Sequence, residues 1–81
     1  MARVPELLLG ILEEMVDEQL RTFHWYLSSN SRVDGMDRTG TVDLLVQTFG
    51  YDGAVAITED ILMRMKLKLW ADTLKEDYSK G

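Results

Sequence analysis

The sequence predicts an all-α bundle, on three observations. Apolar residues recur at i, i+3, i+4 and i+7 over most of the chain. No stretch of useful length alternates apolar and polar residues as a half-buried strand would. Turn-forming residues are confined to short intervals between the helical patterns.

Residues 5 to 15, PELLLGILEEM, open on a proline, which a first helical turn tolerates, and set Leu8, Ile11, Leu12 and Met15 on one face. The opposite face collects Glu6, Gly10, Glu13 and Glu14. A glycine inside a helix costs about 1 kcal/mol relative to alanine unless close packing requires it. Asp17 is placed to cap or charge the next helix, in which Leu20, Phe23 and Leu27 share a face and which ends near Ser28. The polar stretch SSNSRVDGMD reads as a loop with at most one short helical turn. From Arg38 the period returns: Val42, Leu45, Val46 and Phe49 share a face, and Gly50 stands just past the expected helix end. YDG then turns the chain into AVAITEDILMRM, with Ala54, Ile57, Ile61 and Met65 inward and Glu59 and Asp60 toward water. A last helix begins at Lys66 or Leu67 and turns Leu67, Trp70, Ala71, Leu74 and Tyr78 inward. Five helices and one short turn of helix, joined by short loops, make a compact antiparallel bundle. There is no internal repeat and no low-complexity segment.

At 81 residues the chain is one domain. A domain of this size buries only about 60 to 65% of the surface its unfolded form exposes, so each large apolar side chain matters. A hydrophobic content of 46% and a charged content of 28% are those of a globular soluble domain. No apolar run approaches the roughly 20 residues that span a bilayer, so a membrane is not an expected partner. The first residues lack the features of a secretory signal. Cysteine is absent, which excludes disulfides and thiolate chemistry and fits the cytosol.

Nine basic against fourteen acidic residues give a net charge of -5, which opposes binding to a phosphate backbone, so nucleic acid is not an expected partner. The charges are segregated. Glu6, Glu13, Glu14, Asp17 and Glu18 face only Arg3 in the first twenty residues, and residues 42 to 62 hold four acids and no base. Bases lie at Arg21, Arg32 and Arg38 in the middle and at Arg64, Lys66, Lys68, Lys75 and Lys80 near the end. Such segregation makes a surface with faces of opposite sign, which steers encounter more than it adds affinity.

Catalysis is not expected. With no cysteine and His24 alone, a nucleophile, a base and an orienting group cannot be assembled, and Ser28, Ser29 and Ser31 lie outside any elbow-type motif. Glu13 and Glu14 are adjacent and so diverge on a helix. One histidine, no cysteine and a DGMD stretch too short for a calcium loop leave no metal site, and glycine-rich phosphate loops are absent. No cofactor is expected. Met15, Met63 and Met65 read as packing residues.

In FHWY, residues 23 to 26, a step of about 100° per residue puts Phe23 in the core, His24 at its edge and Trp25 outward. Trp25 lies on the same side as Arg21, one turn earlier, and an exposed tryptophan beside an arginine is the composition of an interface hot spot. The spacing assigns no place to Tyr26.

Two stretches, LLLGILEEMVDEQLRTFHWYL and DRTGTVDLLVQTFGYDGAVAITEDILMRMKLKLWADTLKED, together resemble the pyrin domain of the death-fold superfamily. The first resembles the family's Leu-x-x-Leu-Glu, acidic helix start and Leu-Lys-x-Phe-Lys-x-x-Leu. The second resembles its Asp-Arg-x-x-x-Val-Asp-Leu-x-Val-x-x-Tyr-Gly, Ala-x-x-x-Thr-x-x-Ile-Leu-x-x-Met and closing Leu-Ala-x-x-Leu-Lys. The resemblance runs from about Pro5 to Asp77. It implies an antiparallel six-helix death-fold bundle, here with a shortened or missing third helix, and a single domain over residues 1–81 that forms the N-terminal part of a larger cytosolic protein. It also implies a non-enzymatic module that binds other pyrin domains, such as that of the inflammasome adaptor ASC, and that self-associates. The usual contact sets acids of the first and fourth helices against bases of the second and third. By position the acidic side is Glu6, Glu13, Asp37 and Asp43, and the basic side keeps Arg21.

The chain departs from the family pattern in places. SSNS replaces a longer stretch before the third helix, Asn30 stands near a basic position, and Arg32 is the nearby substitute. Thr22, His24 and Tyr26 stand where bases are common, Gly10 and Gly40 where acids are, and Lys66 where an asparagine usually caps the last helix. The thinned basic side raises a second reading, a regulatory decoy that caps an adaptor without polymerising.

Overall fold

Pro5, in the first turn, has no N–H to leave unsatisfied, and from there Val4, Leu8 and Leu12 fall on one stripe. This is α1, Val4–Glu14. The computed structural model describes residues 4–27 and 37–80, in which α1 is followed by α2, Asp17–Leu27, α3, Arg38–Arg64, and α4, Lys68–Lys80. No strand occurs among the described residues. α1, α3 and α4 pack on one another, and α2 packs chiefly on α3. The third helix expected from the family pattern falls at residues 28–36, outside the described residues.

Among the described residues there are four helices, so the expected six-helix count is not matched there. The two helices expected on either side of Gly50 run end to end as α3, which leaves helical geometry only at Gly50, where φ is 77° and ψ is 177°. That backbone region is open to glycine and closed to side-chain-bearing residues. Gly50 therefore ends the first half of α3 as its position predicts, but YDG does not form a turn, because helix resumes at Tyr51. Phe49, expected inward, is half exposed. Its Cβ lies against Gly53, where an added Cβ would come within 2.9 Å, and the residue before the kink is left out of the core.

The core that results is continuous across all four helices. Leu8 and Leu12 of α1, Phe23 of α2, Leu45, Ile61 and Leu62 of α3 and Leu74 of α4 are almost wholly buried. Each such side chain contributes about 1.5 to 3 kcal/mol on leaving water. Spacing alone missed Leu62 and Val55, and also Val4 at the start of α1. Tyr78, expected inward, stays at the rim of the bundle, where its hydroxyl donates to the Asp52 carboxylate across α3 and α4.

His24, expected at the edge, is buried with 7% exposure, because a partner awaits it there. Its Nε2 lies 2.7 Å from Thr41 Oγ1, and that hydroxyl donates to the Asp37 carbonyl at 2.8 Å. With the threonine proton so used, Nε2–H is the donor to Oγ1. The relay fastens α2 to the first turn of α3.

Arg38 fastens the first turn of α3 to α1. Its Nε donates to the Leu12 carbonyl at 2.8 Å and a terminal guanidinium nitrogen donates to the Met15 carbonyl at 2.7 Å. Carbonyls at a helix C-terminus lack intrahelical partners and carry partial negative charge, so a guanidinium is well matched to them. The Asp17 carboxylate stands 3.6 Å away but is almost fully exposed, and an ion pair there adds little. α2 begins with Gln19 reaching back, its Oε1 accepting from the Val16 N–H at 3.1 Å, so Asp17 charges the helix start and Gln19 caps it.

Lys66 does not cap α4. It closes α3: Leu67 N–H bonds the Leu62 carbonyl and Lys66 N–H the Met63 carbonyl, the paired bonds of a left-handed C-terminal motif, with Lys66 at φ 63°. Glycine or asparagine fits that backbone with less strain.

These contacts set how stability responds to substitution. Arg38→Ala is expected to lower it by about 2 to 4 kcal/mol in urea unfolding, with Arg38→Lys recovering only part because one ammonium cannot span both carbonyls. Gly50→Ala is expected to destabilise by about 1 to 3 kcal/mol, whereas Gly10→Ala, at an exposed helix position where a Cβ meets nothing within 4 Å, is expected to stabilise by up to about 1 kcal/mol. Lys66→Asn is expected to raise the unfolding free energy slightly, by roughly 0.5 kcal/mol in urea unfolding.

Candidate protein-interaction surface

The core stripe of α1 dictates what the helix shows to solvent. With Leu8 and Leu12 buried, Glu6, Gly10 and Glu13 lie exposed on the opposite side. The Arg38 bonds to Leu12 and Met15 set the end of α1 beside the start of α3, so Glu13 and Asp37 flank one junction. Asp37 also serves the fold, since its Oδ1 accepts from the Gly40 N–H at 2.6 Å and caps α3. Asp43 is exposed on the first half of α3. Glu6 is two helical turns from the junction along α1.

The basic side is sparser. Glu18, Arg21, Thr22 and Trp25 form the exposed stripe of α2, opposite Leu20 and Phe23. Arg21 is the one cation on the described stripe, and no hydrogen bond or ion pair links it to another described residue. Thr22 turns its hydroxyl onto the Glu18 carbonyl at 3.1 Å. Trp25 is 71% exposed, and its ring meets Tyr26 edge-on, centroids 5.0 Å apart and planes at 79°. Tyr26 thus finds its place as a lateral support that holds the indole outward. Arg32 lies outside the described residues.

A groove of about 460 Å³ runs between α1 and α4, a feature that sequence reasoning missed. Leu7, Ile11, Leu69 and Trp70 line it. Its acidic rim is Glu6, Glu14 and Asp77, and no basic residue lines it among the described residues. Leu69 is 76% exposed, although a helix of this amphipathic chain would bury it if a partner surface were at hand within the bundle. Gly10 carries no side chain to stand over the groove, which leaves it open on its α1 side.

Sequence reasoning also missed Arg38: a cation in the first turn of a helix opposes the helix dipole, which hints at a partner elsewhere but does not name the Leu12 and Met15 carbonyls.

Among the described residues, no three His, Asp or Glu side chains gather as metal ligands would, and no helix is long and apolar enough to cross a membrane. The arrangement presents exposed acids on α1 and α3, and a lone arginine with an exposed tryptophan on α2.

No curated protein and no solved structure matches the chain. The PAAD/DAPIN/Pyrin domain family matches it over residues 7–72, from the first turns of α1 into α4. With helices in the described parts of the matched region, the chain belongs to the pyrin domain family, death-fold modules that work by homotypic protein interaction in death-domain signalling.

Proposed function

We propose that this domain recruits a pyrin-bearing adaptor of the ASC kind in the cytoplasm, as a step in inflammasome signalling within innate immunity. The family match supports the homotypic partner, and the observation that carries the reading is the separation of exposed charge. Glu6, Glu13, Asp37 and Asp43 form the acidic side and Arg21 and Trp25 the other, to which the sequence pattern adds Arg32. Opposite faces of this kind raise the encounter rate and reject wrongly patterned partners, while each contact stays weak. Weak single contacts suit an assembly that strengthens as copies add.

One observation favours the decoy as a second reading. His24, at a position where the family often has a surface base, is buried against Thr41, and Thr22 and Tyr26 add no charge to the exposed side of α2. With its basic side thinned, the domain would engage an adaptor through its acidic side and offer little to the next copy.

Glu13→Lys and Arg21→Glu test the reading. Each side chain is exposed and makes no described contact, so helicity by circular dichroism is expected to be unchanged. Co-sedimentation with a pyrin-domain adaptor is expected to fall about tenfold or more, since reversal turns attraction into repulsion. Unchanged assembly would remove the charged faces from the account. Light scattering separates the two readings: growth by the purified domain supports the recruiter, whereas arrest of the adaptor's own growth supports the decoy.

A further inference from the structure

We infer that the groove between α1 and α4 is a receptor for α2 of a second copy, with Trp25 entering the groove and Arg21 meeting its acidic rim. The inference rests on the homotypic reading above and assigns it a contact that uses α4, which the charged faces do not.

Four observations carry it. First, the groove is an apolar channel left open within a small bundle: Leu69 is 76% exposed and Trp70 half-buried, although both lie beside Leu7 and Ile11. At about 460 Å³ it falls in the size range of clefts that take a whole apolar group, about 300 to 1,000 Å³. Second, its charge has one sign. Glu6, Glu14 and Asp77 edge it without a base among the described lining residues, so an occupant that brought only apolar surface would desolvate carboxylates without compensation. The fitting occupant carries an apolar anchor with a cation close by.

Third, the chain itself displays that pair. Trp25 is 71% exposed and braced by Tyr26, and Arg21 stands one helical turn away, about 6 Å along the axis, with no partner among the described residues. A braced indole loses little freedom on insertion, and an unpaired guanidinium gains hydrogen bonds that its own chain does not offer. Glu18, about 10 Å from Trp25 along α2, stays clear of the indole that leads the insertion.

Fourth, knob and groove are on separate surfaces. No residue of α2 lines the groove, and α2 packs chiefly on α3. The contact is therefore head-to-tail: each copy keeps one free knob and one free groove, and association continues unless one of them is blocked.

The test uses the full chain with variants at exposed positions. Trp25→Ala removes the knob. Leu69→Glu fouls the groove, and Gly10→Leu is a second groove block at a position where an added Cβ meets nothing within 4 Å. Sedimentation velocity is expected to show self-association at least tenfold weaker for each variant alone. A mixture of Trp25→Ala with Leu69→Glu is expected to form 1:1 dimers and nothing longer, because the two together supply one intact knob and one intact groove. Variants that associate like the parent, or a mixture that fails to pair, would overturn the inference. So would a parent chain that is monomeric up to about 1 mM, the weak end of specific contacts. The charged-face reading fails separately: if Glu13→Lys abolishes adaptor capture while Leu69→Glu and Gly10→Leu, which lie outside the charged faces, leave association intact, the groove is wrong and the charged faces stand. If Glu13→Lys has no effect while Leu69→Glu and Gly10→Leu abolish association, the reverse holds.

Discussion

A single guanidinium holds the arrangement in register. Arg38 sits at the junction of α1, α2 and α3, donates to two carbonyls where α1 ends, and belongs to the turn that receives His24 through Thr41. The end of α1 and the end of α2 are thus fixed to the same turn of α3, by groups that are half-buried or buried. Apolar packing is tolerant of small rotations and slides; directional bonds from a planar, permanently charged group are not. The angle at which α1 lies across α3, and hence which acids share a side, follows from those bonds more than from the leucines beneath them.

The second constraint is backbone geometry in α3. A single non-helical residue, Gly50, separates two helical stretches that both contribute to the core, Leu45 from one and Ile61 and Leu62 from the other. A longer connection would let the halves choose their own angle. One glycine leaves them coupled, with the Cβ of Phe49 close against Gly53 across the break. In a domain with so little interior, economy of connection keeps conformational entropy from exceeding what the core supplies.

Much of this could be read from the residues alone, because most of it is periodicity. Leu8, Leu12, Leu20, Phe23, Val42, Leu45, Ala54, Ile61, Ala71 and Leu74 recur at helical spacing and are buried, and the order of motifs pointed to the family that the match then bore out. What could not be read depends on partners distant in sequence. Burial of His24 requires Thr41, the role of Arg38 requires the carbonyls of Leu12 and Met15, and the exposure of Tyr78 follows from its bond to Asp52. Phe49 went astray for a different reason: its period is that of the core, but the helix bends at the next residue and carries the ring off the stripe. Of the surface, the directions of Glu13, Arg21 and Trp25 were legible, since they follow from the opposite face. The groove was not, because it belongs to two helices at opposite ends of the chain.

The peripheral seat of α2 has a further bearing. Among the described residues α1 and α4 each pack on two other helices and α3 on all three, whereas α2 rests chiefly on α3, through Leu20, Phe23 and the hydrogen bond of His24. Local opening free energies are smallest where a segment has few buried neighbours, so the amides of α2 are the natural first unit to exchange with solvent while the remaining three helices stay closed. The helix that carries Arg21 and Trp25 is then the one best able to settle against another molecule by small rigid-body adjustment, and ordering it there would be part of the entropic cost of assembly.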